Sequence, residues 1–112
     1  MNFETYNLKQ GKIIIAYSDK NLSIGYLELN PGTELEKHNR PTAEQFYQVE
    51  GTAIVVIFDK DDSKEVILSK GDQLEVPANQ YHIHANRGTD RSITMWKFEG
   101  DISEVINKIR GS

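Results

Sequence analysis

Two stretches, GTELEKHNRPTAEQFYQVEG at residues 32–51 and GDQLEVPANQYHIHAN at residues 71–86, decide how this chain folds. In the first, five residues separate Gly32 from His38, Arg40 stands two places on, three more residues lead to Glu44, and Gly51 closes the stretch after another six. In the second, five residues separate Gly71 from Pro77, Asn79 follows, His82 comes after two more residues, and Asn86 after another three. Each stretch ends in turn-forming residues and carries an alternating apolar run. Alternate side chains on a strand share a face, so Glu44, Phe46 and Gln48 point one way while Gln45, Tyr47 and Val49 point the other. His82 and His84 share a face by the same rule, unless a bulge intervenes. Gly32, Gly51 and Gly71 suit tight turns, and Pro77 suits a loop leaving a strand.

Outward from these stretches the pattern repeats. Short β-branched and apolar runs at residues 12–17, 23–29, 34–37, 45–49, 52–58, 64–68, 73–76, 81–85 and 92–98 alternate with Gly, Pro, Asn and Asp clusters. So many short strands predict an all-β sandwich or barrel rather than an α/β sheet. One helix is expected near residues 101–110. Asp101 can cap it, Glu104 can complete a capping box, and Ile102, Val105, Ile106 and Ile109 form one apolar stripe. The stripe is expected to pack on the outside of the barrel, and Gly111 to end the helix. Phe46, Trp96, Met95, Phe58 and Ile54 are core candidates. Asp59, Asp61 and Asp62 lack the glycine and distal glutamate of a calcium loop, which leaves a solvated hairpin turn. Asn21-Leu22-Ser23 is read as a turn.

With 112 residues the chain fits one domain, residues 1–112, able to bury roughly two thirds of the surface its unfolded form exposes. It contains no cysteine, which excludes disulfides, thiolate zinc sites and thiol catalysis and leaves imidazole, carboxylate and water as metal ligands. The polar start and the lack of any long apolar run point to a soluble cytoplasmic protein with no membrane partner. The net charge of −4, with no basic stripe, lacks the footprint of nucleic-acid binding.

Both motifs resemble the two signature motifs of the cupin superfamily, and the likeness runs from about residue 30 to residue 98. It implies a jelly-roll β-barrel with a divalent metal inside. Two departures stand out: Arg40 occupies the position of an expected histidine, and Asn79 that of a glycine. In the family, the positions held here by His38, Glu44 and His82 supply metal ligands. Two imidazoles and a carboxylate on one side of an ion also form the facial arrangement of non-haem iron oxygenases. Some cupins, those resembling pirin, take a ligand two residues after the second-motif histidine, which would add His84 to the set.

Arg40 bears on whether a metal is held at all. A guanidinium about 6 Å from a divalent ion, at an effective dielectric near 20, is repelled by roughly 5 kcal/mol. It is left to swing to solvent, to pair with Glu44 as a built-in cation, or to meet an anionic substrate in bidentate fashion. Two readings follow. One is a small enzyme in which iron, manganese, nickel or zinc holds an oxygenated or sugar-like small molecule, with Glu44 as ligand or proton carrier and Arg40, Phe46 and Trp96 as substrate contacts. Dioxygenases, isomerases and lyases are the reaction classes the resemblance implies. The other is a metal-free barrel that binds a ligand or serves to dimerise. The resemblance further implies a homodimer, with residues 12–17, which include Ile13, Ile14 and Ile15, as a strand exchanged or abutted at the interface.

Overall fold

The computed structural model describes residues 3–111. Its elements are β1 (Glu4–Asn7), β2 (Gly11–Ser18), β3 (Leu22–Leu29), β4 (Thr33–Glu34), β5 (Glu44–Glu50), β6 (Ala53–Asp59), β7 (Asp62–Leu68), β8 (Gln73–Val76), β9 (His82–Asn86), β10 (Ser92–Glu99) and α1 (Ser103–Gly111). The strands form two antiparallel sheets, one ordered β1-β2-β3-β10-β5-β8 and the other β4-β9-β6-β7. This is the expected jelly roll with one short C-terminal helix.

Period-two alternation creates the core. On β10, Ser92, Thr94, Trp96 and Phe98 are buried while the residues between them are only partly covered. On β5 the buried set is Glu44, Phe46 and Gln48, as the pattern predicts. The register sets Trp96 opposite Phe46 on one side and Gly25 on the other. A Cβ at Gly25 would lie 2.2 Å from the Trp96 ring and 2.1 Å from the Ile14 carbonyl oxygen, so only glycine lets the indole lie against β3. Of the core candidates, Phe46 and Trp96 are buried, whereas Met95, Phe58 and Ile54 are half-buried on the outer faces. Ala53 and Val55 hold the inward positions of β6 instead.

The predicted strand at residues 34–37 is shorter than expected. Leu35 N–H donates to the His84 carbonyl, yet His38 bridges to His82, so three steps on this side face two on β9. The extra residue breaks the ladder after β4. It also lets Leu35 and His38, three apart, both reach the interior, which strict alternation forbids.

β1 has no counterpart among the expected strands. Its polar sequence ETYN hides an alternation in which Tyr6 leans on the core. β1 pairs with residues 12–15 of β2 and β3 lies on the other side, so β1 forms the edge of the sheet there; Ile15 is buried and Ile13 and Ile14 are half-buried. The aspartates at 59–62 close the β6–β7 hairpin, with Lys60 at a φ of 53°.

α1 departs from expectation in place. The Asp101 carboxylate accepts from Ser103 N–H, but Glu104 forms no reciprocal bond. Ile102 and Ile106 are each 2% exposed, and together with Val105 and Ile109 they line the same cavity as the inward side chains of the barrel. The stripe closes the barrel interior rather than coating its outside, packing with Leu27, Phe46, Trp96 and Phe98 in one core. Arg110 clamps the helix to β1, with Nε and one terminal nitrogen each 2.9 Å from a Glu4 carboxylate oxygen. No helix among the described residues is long and apolar enough to cross a membrane.

Candidate metal centre

His38, Glu44 and His82 each bring one ligand atom to a cluster in which all such atoms lie within 4.8 Å of one another. Glu44 opens β5 in the larger sheet and His82 opens β9 in the smaller. His38 is held to His82 by two backbone hydrogen bonds of 3.0 and 2.8 Å. The His38 and His82 rings lie 4.3 Å apart in an edge arrangement. Glu44 is 7% and His82 1% exposed.

The hydrogen bonds decide which lone pairs are free. The Nδ1 of His38 lies 2.8 Å from the Glu36 carbonyl and the Nδ1 of His82 lies 2.9 Å from the Gln80 carbonyl. A carbonyl oxygen only accepts, so both Nδ1 atoms carry hydrogen, and each Nε2 presents a lone pair when its ring is neutral. The His82 Nε2 then meets Glu44 Oε1 at 3.2 Å. Two lone pairs at that distance repel unless a proton or a metal ion lies between them. A spacing of this size is also one that two ligands of a single ion have, given bonds of about 2.0–2.2 Å. Imidazoles that donate Nδ1–H to backbone carbonyls are oriented as metal ligands are. The donor set therefore fits a divalent cation. Burial, with Arg40 nearby, lowers the His38 pKa to about 4, so its Nε2 stays available well below neutral pH.

His84 is oriented the other way. Thr94 Oγ1 donates to Gln48 Oε1 at 2.6 Å and so must accept from His84 Nε2–H, 3.2 Å away. Gln48 passes the chain on to Ser92 Oγ and the Glu50 carbonyl. His84 lies outside the three-residue cluster; its Nε2 is taken by Thr94, and its buried Nδ1, which then carries the lone pair, has no hydrogen-bond partner. Burial, then His82 and His38, push its pKa down to about 3. The Thr94, Gln48 and Ser92 network carried no signal within either motif. It follows from register, since Thr94 lies opposite Gln48.

A cavity of about 50 Å³ lies against the cluster. Arg40, Phe46 and Trp96, the substrate candidates, all line it, as do His38, Glu44 and His84. Arg40 does not pair with Glu44: no ion pair within 4 Å involves it among the described residues, although the Glu44 carboxylate acts on its charge from farther off. Its backbone is pinned, since its carbonyl accepts from Asn79 N–H at 2.7 Å. Asn79 adopts a φ of 64°, the left-handed conformation that asparagine tolerates better than most residues, which explains how it replaces glycine there.

A family model described as "Cupin domain" matches residues 25–97. Among solved structures, oxalate decarboxylase from Bacillus subtilis at pH 4.6 matches with a TM-score of 0.79 and 27% identity over 88% of this chain. The same enzyme in work on its Mn(II) centres gives a TM-score of 0.79 and 27% identity. A tryptophan-to-tyrosine variant gives a TM-score of 0.78 and 27% identity. The chain spans 28% of the length of each of these. With both motifs present, a His–Glu–His cluster that could hold a metal between the two sheets, and a family match over well more than half its length, the chain belongs to the cupin family.

Proposed function

We propose that this chain is a metal-binding cupin whose His38, Glu44 and His82 hold a divalent ion beside a cavity for a small oxygenated substrate. The observation that carries this reading is the pair of Nε2 lone pairs turned, with a carboxylate, onto one point. Manganese is favoured among iron, manganese, nickel and zinc by likeness to oxalate decarboxylase with its Mn(II) centres, and imidazole–carboxylate donors accept it. The same likeness favours a lyase over a dioxygenase or isomerase. When bound, the ion supplies Lewis acidity at its open positions. The residues supply the rest. His38 and His82 are oriented by their backbone acceptors, Glu44 balances charge and can hold a proton against His82, and Phe46, Trp96 and α1 keep water from the cavity.

A metal-free ligand-binding barrel is the second reading, favoured by Arg40 at the position where the family has a histidine. Elemental analysis of protein purified without a metal-affinity step, followed by Mn(II) titration, separates the two. One ion per chain is expected, lost in a His38→Ala, His82→Ala double variant that keeps its fold. Arg40→His should tighten binding by about tenfold or more, as repulsion is removed and a ligand added. Absence of stoichiometric metal, with none gained on titration, would overturn the metal reading.

A further inference from the structure

Arg40 is the cationic side chain on the cavity lining, and like His84 it lies outside the metal cluster. Its guanidinium carries five N–H donors in a rigid fork. The structure gives it one hydrogen bond, from a terminal nitrogen to the Asn39 carbonyl at a long 3.4 Å. It lies half-buried on a wall that is otherwise largely apolar, with Leu35, Phe46, Phe98 and Ile102 among its neighbours on the lining. A guanidinium with unused donors on such a wall is favourable only if a counter-charge completes it. Glu44 compensates the charge at a distance but does not take up the donors.

We infer that Arg40 makes this cavity a receptor for a small monocarboxylate, whose carboxylate oxygens take the free N–H donors of the guanidinium. Three observations set the ligand class. Fork geometry matches a planar carboxylate through two parallel hydrogen bonds. A volume of about 50 Å³ holds a few waters' worth of atoms, on the order of four to six non-hydrogen atoms. The Glu44 carboxylate on the same lining balances one positive charge and disfavours a dianion such as phosphate. Arg40 is placed for the task by the Asn79 bond to its carbonyl, which ties the first motif to the second at this residue. The inference rests on the reading that this cavity is the ligand site, and it does not require the ion to be present.

The test uses the full chain after chelation, with acetate, acetamide and inorganic phosphate as probes. Acetate and acetamide are nearly equal in size and differ in charge. Saturable acetate binding by calorimetry is expected, about tenfold or more tighter than acetamide, with a matching shift of the Arg40 Nε–H signal in nitrogen-15 spectra. Arg40→Gln should bring the two probes within about twofold of each other, and Arg40→Lys, which keeps the charge and loses the fork, should fall between. The spectrum of the unaltered protein needs no variant, so a misfolded Arg40→Gln protein does not rescue the idea. Equal binding of acetate and acetamide, an unmoved Arg40 signal, or tighter binding of phosphate than acetate would each overturn it. Metal content is measured on each preparation before chelation. Stoichiometric metal without acetate preference sinks this inference alone, and acetate preference without any metal sinks the metal reading alone.

Discussion

His38 and His84 are neutral in the fold because burial makes their charged forms costly, with pKa values lowered to about 4 and about 3 from an ordinary 6.5. The unfolded chain protonates both below about pH 6.5, while the folded chain does not until the lower values are reached. The stability they contribute is therefore present above pH 6.5 and is lost as pH falls from there toward 4 and then 3. Each imidazole costs up to about 1.4 kcal/mol per pH unit in that window. Urea unfolding of metal-free protein at pH 7 and pH 5 should show lower stability at pH 5, and His84→Gln should flatten the dependence; a flat profile in the unaltered protein would contradict the assignment. At this scale the sequence is legible only where spacing does the work. His38, Glu44 and His82 follow from intervals within two motifs. The orientation of His84 does not, because it is set by Thr94 on another strand, and neither does the position of Arg40, which depends on a backbone bond from Asn79.

Strands were readable because inward and outward residues alternate along each one. β1 gives no strand signal because its outward residues are polar and its inward ones few, and the segment after β4 departs from alternation because its bulge replaces period two with a step of three. α1 was placed in sequence by its cap and its stripe, but a stripe says only that one face is buried and not against what. Here it is buried against the cavity, so this helix belongs to the site as much as to the scaffold. Ile106→Ala should cost roughly 2–4 kcal/mol by thermal or urea unfolding, in the range of buried isoleucine truncations. Because Ile106 lines the cavity, the same variant should also bind larger carboxylates, such as butyrate, better than the unaltered protein does. Unchanged stability would mean that α1 is not packed as described.

For the molecule as a whole, the fold brings His38, Glu44 and His82 from segments far apart in sequence to one point, so an ion bound there would tie the two sheets together. It binds the folded chain and not the unfolded one. At a Mn(II) concentration about 100-fold above its Kd the gain is about 2.7 kcal/mol, or a rise in melting temperature of roughly 10 °C for a domain of this size. Differential scanning calorimetry across a Mn(II) series should show that rise in the unaltered protein and none in the His38→Ala, His82→Ala variant. A melting temperature indifferent to Mn(II) would count against the cluster as an ion site. The clamp between Arg110 on α1 and Glu4 on β1 has a separate consequence. Residues 4 and 110 are within reach of each other's side chains, so the path of the backbone is nearly a ring. A circularly permuted version, joined there by a short linker and opened at the exposed Lys60–Asp61 hairpin tip, would keep every ladder of both sheets.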